Sequence, residues 1–413
     1  MKSDLDRLMR ERDMVAFIIG GGEEESPERN YMTHGAHIMG GLILKKVGET
    51  GVAVVSPMEI EEMKDSGLEC FTFNDVGLAE IALKSGGDPL KTQLDFWKRC
   101  LDQFAVPPGR VGIYGVGMLG HYLTFFRALE KELPQYELVG EIRKTLFTEA
   151  MATKSPQELE RIRVVAQKTA EVMQMAWDYL SSMAEKDGAV VDGDGRNVTI
   201  GDVKALINRA LLDRGLVDQE GMIFAQGRDA AFPHSRGEAD TPLRTGQTIV
   251  FDFFPREIGG GYFHDCTRTW SIGYATEEVQ RSFQDVSDAF DVAVETFVSG
   301  GKAHRLQDAV LDLFESRGHP TGRSHPGTTD GYTHGLGHGV GLRVHEAPGM
   351  SHLQKEDILQ PGNVITIEPG VYYPDRGYGI RLEDTFYVSE QGELISLSPH
   401  PKDLVLPLKG GTA

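Results

Sequence analysis

The sequence predicts an α/β domain followed by an α+β domain in which a helix–helix–hairpin unit occurs twice. The chain has 413 residues, enough for two or three domains with large cores. Up to about residue 150, short apolar runs alternate with amphipathic segments. Beyond that point the same order of elements recurs, with helix starts at residues 156 and 276. We therefore predict domains at 1–152 and 153–413, the second with two hairpins around a pseudo-twofold axis.

Composition and net charge argue against some classes of binding partner and indicate a cellular compartment. The net charge is -20, from 42 Lys and Arg against 62 Asp and Glu, which argues against nucleic acid or an anionic membrane as a partner. The N-terminal stretch MKSDLDRLMRERD lacks the apolar core of a signal peptide, and no later stretch is long enough to cross a bilayer. Three widely spaced cysteines suit reduced thiols. We expect a cytoplasmic protein.

In the first domain, one glycine motif allows two interpretations. Gly115, Gly117 and Gly120 follow the strand-like RVGIY and open a helix over 121–133, and Glu141 lies about twenty residues further on. This pattern formally satisfies a dinucleotide-binding fingerprint. We interpret it as a tight turn between strand and helix, because only one such unit is visible and nothing downstream resembles hydride-transfer chemistry.

In the second domain, cap residues mark the helix starts. Ser155 with Pro156 and Glu158 forms a capping box, and Thr276 precedes two glutamates. The predicted helices of this domain span 156–186, 199–215, 277–298 and 306–317, and the predicted hairpins pair 248–255 with 262–272 and 364–368 with 379–388.

Each predicted hairpin carries a pair of carboxylates. The numbers of Glu368 and Glu383 add to 751, which centres their pairing in the Pro-Asp-Arg-Gly turn at 374–377. The numbers of Asp252 and Asp265 add to 517, which centres theirs at the glycine-rich turn near Gly259. In antiparallel strands such residues face each other about 5 Å apart, and opposed acids in an apolar sheet repel unless a cation lies between them. Four converging carboxylates suit two divalent cations.

An imidazole ligand is expected from the glycine-dense segment THGLGHGVGLRVH, which contains His334, His338 and His345. Three histidines in such a short segment favour a site, since glycine lets the backbone approach a ligand closely. The more scattered histidines are interpreted as ordinary structural residues: His34, His37, His121, His304 and His400. Oxygen ligands with one imidazole suit manganese, cobalt, iron or zinc.

These motifs resemble the pita-bread metallopeptidases, the group that holds aminopeptidase P, prolidase, methionine aminopeptidase and creatinase. The matching stretches are FDFFPREIGGGYFHDCTRT, HGLGHGVGLRVHEAP, TIEPGVY and GIRLED. The resemblance implies a pita-bread catalytic domain from about residue 155 onward. Over residues 1–150 it rests on NYMTHG and on the strand–helix–strand after Arg110, which are similar to the creatinase-type N-terminal domain.

The resemblance also implies roles for single residues. The metal ligands that it implies are Asp252, Asp265, His338, Glu368 and Glu383. His345 matches a histidine that stabilises the tetrahedral intermediate, and His234 one that contacts substrate or shuttles protons. His334 matches a histidine lining the substrate pocket, and Arg381 an arginine near the bridging glutamate. His345, Glu368 and His234 are thus the expected catalytic residues, and His234, His334, His345 and Arg381 the expected substrate-binding residues.

The activity expected from the resemblance is a two-metal hydrolase that cleaves the Xaa-Pro bond of short peptides, as a dipeptidase or an aminopeptidase. A hydroxide bridging two divalent ions, manganese before cobalt, zinc or iron, would attack the peptide carbonyl. His345 would stabilise the oxyanion, and Glu368 would pass a proton to the leaving amine. The resemblance further implies a homodimer.

Two departures and two alternatives accompany this expectation. Asp252 and Asp265 stand 13 positions apart, two more than is common in the group, and His264 replaces a small residue. Both departures bear on the substrate, and His264 should point away from Asp265 and is not counted as a ligand. The alternatives are a pita-bread enzyme acting on a non-peptide small molecule, by a lyase or creatinase-like reaction, and a non-catalytic binding protein on the same fold.

Overall fold

The computed structural model describes residues 4–409, which divide into two compact units. One unit comprises the residues up to Met151 together with Gly259–Gly261, and the other comprises Ala152–Ile258 and the residues from Tyr262 onward. Among residues 4–409, no helix combines the length and the apolar character needed to span a membrane.

The N-terminal unit is an α/β sandwich built on a mixed six-stranded sheet of order β4-β3-β2-β1-β5-β6. Its elements are α1 Leu5–Glu11, β1 Met14–Gly21, α2 Pro27–Thr33, β2 Leu42–Lys46, β3 Val52–Val55, β4 Glu69–Thr72, α3 Leu78–Lys84, α4 Pro89–Gln103, β5 Gly109–Val116, α5 Leu119–Glu132, β6 Tyr136–Val139 and α6 Leu146–Met151. The apolar faces of α4 and α5 pack on β1, β2 and β5 around Trp97 and Phe125. The strands and helices predicted for this region are therefore present.

The glycine motif of this unit forms a strand–turn–helix connection. A Cβ atom on Gly115 would lie 1.9 Å from the carbonyl oxygen of Gly20 in the neighbouring strand. A Cβ atom on Gly117 would lie 2.3 Å from the ring of Tyr122. Close packing of β1 on β5, and of the Tyr122 ring on the turn, thus accounts for glycine at two of the three motif positions.

The C-terminal unit contains the duplicated architecture. Its elements are α7 Pro156–Ser181, β7 Ala184–Lys186, β8 Ala189–Val191, α8 Ile200–Leu212, β9 Leu216–Val217, β10 Ile223–Gln226, β11 Thr248–Phe253, β12 Arg256–Glu257, β13 Cys266–Ile272, α9 Glu277–Thr296, α10 His304–Ser316, β14 Gly337–Gly339, β15 Glu346–Met350, β16 Val364–Ile367, β17 Gly370–Tyr373, β18 Tyr378–Arg381, β19 Asp384–Val388, β20 Leu394–Ser396 and β21 Val405–Leu406. Short 3₁₀ turns lie at Asp229–Ala231 and Pro374–Arg376.

Each half of this unit has its own hydrophobic cluster. In the first half, α7 and α8 pack on the sheet of order β10-β11-β13-β21 around Trp270 and Phe251. In the second half, α9 and α10 pack on the sheet of order β15-β14-β16-β19-β20 around Phe314 and Ile365. The predicted helix–helix–hairpin duplication is confirmed.

The caps of the long helices follow the sequence, but one helix ends earlier than predicted. Ser155 and Glu158 form the complete capping box of α7, and Thr276 accepts a hydrogen bond from the backbone of Val279. We predicted that α7 would continue to about Lys186, whereas it ends at Ser181. The reason is the pair Asp187 and Gly188, whose φ values of 51° and 73° form a two-residue hairpin turn between β7 and β8.

Candidate metal centre

The second hairpin has the predicted register. Ile367 lies opposite Asp384 in one ladder and Gly370 lies opposite Arg381 in the next, and both pairs of numbers add to 751. Glu368 and Glu383 lie between these two ladders, so they face each other. The Pro374–Arg376 turn closes the hairpin with Gly377 in a left-handed conformation, φ 76°.

The first hairpin differs from the prediction by two positions. Asp252 lies opposite Thr267, and their numbers add to 519 instead of 517. The backbone N–H of Glu257 donates to Tyr262, so the turn spans residues 258–261, with left-handed Gly259 and Gly260 at its centre. Asp252 and Asp265 are therefore diagonal neighbours on one face, not directly opposed residues. Because the shift is an even number of residues, both carboxylates stay on that face.

His338 reaches the carboxylates from strand β14, which lies between β15 and β16 in its sheet. A Cβ atom on either flanking glycine, Gly337 or Gly339, would come within 2.2 Å of a carbonyl oxygen in the neighbouring backbone, so glycine is required at both positions. The ring Nδ1 lies 3.0 Å from the carbonyl oxygen of Gly339, which makes it the donor nitrogen. Nε2 then faces the site, 3.3 Å from Oε1 of Glu368 and 3.7 Å from Oδ2 of Asp265.

Three of the five expected ligands meet closely. Ligand atoms of Asp265, His338 and Glu383 all lie within 4.8 Å of one another. Glu368 contacts this group through its carboxylate, which lies 3.3 Å from Nε2 of His338. Asp252 lies on the same hairpin face as Asp265. Among the described residues, Oδ1 of Asp265 is a buried acceptor without a hydrogen-bond partner. A carboxylate oxygen without a partner, beside an imidazole nitrogen that faces other carboxylates, is a donor set that a divalent cation satisfies.

The electrostatics of the cluster show an excess of negative charge. Burial, followed by the charge of Asp252, raises the pKa of Asp265, and burial with the charge of Asp265 raises the pKa of Glu383. Although burial opposes it, the hydrogen bond to Glu368 and the charge of that residue raise the pKa of His338. The same contact holds the pKa of Glu368 below its usual range against the effect of burial. Raised pKa values of this kind are expected where several carboxylates share one buried site.

Arg381 connects the carboxylates to the histidine segment. Its Nη2 donates to Oδ2 of Asp252 over 2.5 Å, and its Nη1 donates to the Tyr372 hydroxyl over 2.9 Å. The same hydroxyl is 2.9 Å from Nε2 of His334, whose Nδ1 lies 2.7 Å from the carbonyl oxygen of Gly335. His334 is therefore protonated on Nδ1 and accepts on Nε2, and Tyr372 links it to Arg381.

His345 and His234 lie at the accessible side of the centre. The ring centroids of His345 and His338 are 4.3 Å apart in an edge-on arrangement, and the His345 side chain is exposed. Neighbouring protein atoms, and then the positive charge of His338, lower the pKa of His345. His234 is also exposed, in the loop after the Asp229–Ala231 turn. Both side chains are open to a ligand.

His264 has a structural environment. Its ring is 1% exposed, and its Nε2 lies 3.0 Å from the hydroxyl of Ser398. Burial, followed by the charge of Arg268, lowers its pKa to about 3, so the ring is neutral. The ring contacts Ser398 and does not belong to the group that surrounds His338.

Two residues of the centre were missed in the sequence. The hydroxyl of Thr267 donates to Oε2 of Glu383 over 2.7 Å and accepts from Nε of Arg381 over 3.2 Å, and Tyr372 joins Arg381 to His334. Strand periodicity was a usable signal for Thr267, which is two residues after Asp265 and therefore on the same face. No comparable signal distinguishes Tyr372 from the adjacent Tyr373.

Comparison with known proteins gives a consistent family match. Residues 160–390 match the model of metallopeptidase family M24. The Xaa-Pro dipeptidase of Pyrococcus furiosus is 35% identical over 173 residues, which are 41% of this chain and 45% of that protein. The probable dipeptidase PepE of Mycobacterium tuberculosis is 33% identical over 208 residues, which are 50% of this chain and 52% of that protein. The chain thus spans about half the length of the curated relatives that it matches.

Solved structures match nearly the whole chain. The X-Pro aminopeptidase of Thermotoga maritima superposes with a TM-score of 0.73 at 22% identity and covers 97% of this chain and 99% of that one. The prolidase of Pyrococcus horikoshii superposes with a TM-score of 0.73 at 23% identity and covers 97% and 98%. At these identities the likeness concerns the fold, an α/β domain followed by a pita-bread domain.

Proposed function

The chain belongs to metallopeptidase family M24, and we propose that it is a two-metal hydrolase that cleaves the Xaa-Pro bond of short peptides. Two of the relatives reported above are named Xaa-Pro dipeptidase and X-Pro aminopeptidase, which supports this substrate class. We also propose residues 1–152 as a creatinase-type domain and residues 153–413 as the catalytic domain.

The observation that carries the proposal is the convergence of four carboxylates and one imidazole. Asp252, Asp265, Glu368 and Glu383 bring about four negative charges when ionised, against the cations Arg381 and His338. Within residues 4–409, Oδ1 of Asp265 has no hydrogen-bond partner, and Nε2 of His338 points into the cluster. Together with His338, these four carboxylates would hold two divalent ions, for which manganese is our first choice and cobalt, zinc or iron the alternatives.

The proposed mechanism assigns one task to each side chain. The bound ions supply Lewis acidity and lower the pKa of water towards neutrality. Glu368, which is ionised at neutral pH, accepts a proton from the attacking water and passes it to the leaving amine. His345, accessible and with a lowered pKa, is neutral and donates its ring N–H to the oxyanion. His234 and His334 contact the substrate, and Arg381 orients Asp252.

The test is hydrolysis of a dipeptide and a tripeptide, each with proline second. Metal-stripped protein is resupplied with manganese, cobalt or zinc, and Asp265→Ala is compared with Asp291→Ala, an exposed acid of α9. We expect metal-restored cleavage that Asp265→Ala loses and Asp291→Ala keeps, and the ratio between the two substrates assigns a dipeptidase or an aminopeptidase. Metal binding without cleavage of either peptide would contradict the proposal and point to a small-molecule reaction.

We propose in addition a cytoplasmic homodimer. The support for the compartment is that Cys70, Cys100 and Cys266 are all free thiols. The support for the dimer is the resemblance of the motifs to the pita-bread group. Light scattering of the purified protein at micromolar concentration measures the mass of the particle directly. A monomer would contradict the proposed homodimer.

A further inference from the structure

A buried ion pair joins the start of α7 to the loop that carries His345. Nζ of Lys154 donates to Oε2 of Glu346 over 2.6 Å, and the two side chains are only 1% and 4% exposed. Glu346 is the residue directly after His345. Burying two opposite charges is costly, and such a pair is weak evidence of a contribution to stability.

The second oxygen of Glu346 organises the loop itself. Oε1 accepts hydrogen bonds from the backbone N–H groups of Leu342, over 2.7 Å, and Arg343, over 3.1 Å. The loop turns tightly here, since the N–H of Gly341 donates to the carbonyl oxygen of Arg343. A Cβ atom on Gly341 would lie 2.4 Å from Oε2 of Glu346, so glycine lets the carboxylate approach. One carboxylate thus sets the path of the chain immediately before His345.

The backbone around Lys154 is held in place by hydrogen bonds. Its backbone N–H donates to the carbonyl oxygen of Gly362 over 2.7 Å, and the side chain of Asn363 donates to the carbonyl oxygen of Ala152 over 2.8 Å. Directly after Lys154, the capping box at Ser155 begins α7. Residues 152–155 are therefore held both by the segment that enters β16 and by the long helix.

We propose that Lys154 and Glu346 are positioning residues that hold the His345 ring in its working orientation. This inference rests on the proposed function, in which His345 stabilises the oxyanion. Both residues act through the 341–346 loop, since Lys154 pairs with Glu346 and Glu346 accepts from the backbone N–H groups of Leu342 and Arg343. Because oxyanion stabilisation depends on donor placement within a fraction of an ångström, loosening the loop lowers kcat and leaves substrate binding largely intact.

The test compares Lys154→Met with Arg161→Met in metal-loaded protein. Arg161 lies in α7, which begins directly after Lys154, and pairs over 2.5 Å with Glu257 and not with Glu346, so it controls for the loss of a cation from this region. We expect Lys154→Met to lower kcat on the order of 10- to 100-fold with KM within about twofold. Arg161→Met should change neither constant by more than about twofold. A folded Lys154→Met protein with the kcat of the wild type overturns the inference.

A second readout does not depend on activity. Arg343 is exposed, so trypsin cleavage after it reports how often the loop opens, with cleavage after exposed Lys186 as the internal reference. We expect faster relative cleavage after Arg343 in Lys154→Met and an unchanged ratio in Arg161→Met and His345→Gln. An unchanged ratio in Lys154→Met overturns the inference. Because this ratio can be measured even if the wild type cleaves no Xaa-Pro peptide, failure of the inference is distinguished from failure of the proposed function.

The single variant leaves the carboxylate of Glu346 buried without its cation and is at risk of misfolding. The double variant Lys154→Met with Glu346→Gln removes both charges and keeps an oxygen for the two loop N–H groups. It should fold and still show the lower kcat and faster relative cleavage after Arg343, since the link from the loop to residue 154 is lost. Wild-type values for both measurements in the double variant also overturn the inference.

Discussion

Arg381 donates from Nη2 to Oδ2 of Asp252 over 2.5 Å. The hydroxyl groups of Tyr372 and Thr267 accept from Nη1 and Nε of the same guanidinium. The planar fork therefore fixes the direction of one carboxylate of the centre.

The first prediction concerns this fork. Arg381→Lys keeps the charge but cannot donate to Asp252, Tyr372 and Thr267 together, because an ammonium group lacks the planar geometry. We expect kcat/KM for a proline-second peptide to fall on the order of 10- to 100-fold. The control is Arg376→Lys in the turn of the same hairpin, where an exposed arginine pairs with Glu278. Equal activities of the two variants would contradict an orienting role for Arg381.

Metal binding should release protons. In the metal-free centre, His338 has a raised pKa and is protonated at pH 7, and the pKa values of Asp265 and Glu383 are raised as well. A ligand imidazole must be neutral and a ligand carboxylate ionised. Calorimetric titration of manganese into metal-free protein at pH 7 should therefore give heats that differ between phosphate and Tris buffers in proportion to their ionisation enthalpies. Identical heats in the two buffers would rule out coupled proton release.

Acid should destabilise the C-terminal unit in part through His400. Its ring is 6% exposed, and burial, followed by the charge of Arg268, lowers its pKa to about 4. The unfolded chain binds a proton at about pH 6.5, so this contribution to stability is lost as pH falls from about 6.5 to about 4. Through this group, the free energy of unfolding changes by at most about 1.4 kcal/mol per pH unit.

The measurement is the free energy of unfolding in urea at pH 7, 6 and 5. His400→Gln should flatten the loss of stability towards pH 5, whereas His37→Gln, at an exposed position, should follow the wild type. A His400→Gln profile parallel to that of the wild type would show that this ring does not contribute.

The capping box at α7 should contribute to stability and not to chemistry. The Ser155 side chain accepts a hydrogen bond from the backbone N–H of Glu158, and the Glu158 side chain accepts one from Ser155. Ser155→Ala should lower the free energy of unfolding by about 1 kcal/mol, because the start of the helix loses an acceptor for its N–H groups. The control Ser155→Thr should retain most of that stability. A tenfold fall in kcat for Ser155→Ala would instead link the cap to the reaction.

The two hairpins show how far the sequence predicts this site. The register of Glu368 and Glu383 followed from residue numbers alone, because Pro374 and Gly377 leave one place for the turn. The register of Asp252 and Asp265 was wrong by two positions, because Gly259, Gly260 and Gly261 allow the turn to centre at more than one place. Sequence spacing predicts pairing only where the turn residues restrict φ.

Contacts made by single side chains were harder to foresee. The bond from Thr267 to Glu383 and the pairing of Lys154 with Glu346 join residues 116 and 192 positions apart. No local pattern encodes such contacts, since they depend on how the two halves of the catalytic unit pack. The capping box at Ser155, by contrast, is encoded within four residues and was predicted correctly.

The opposition of Glu368 and Glu383 has a consequence for folding. Side chains alternate between the two faces of a strand, so a slip of one residue in this hairpin would place one glutamate on the far side of the sheet. The misregistered chain would keep only three of the four carboxylates on that face, and a divalent ion would bind it poorly. Free metal in solution therefore favours the correctly paired hairpin by mass action, and metal affinity becomes a measure of whether the strands have aligned.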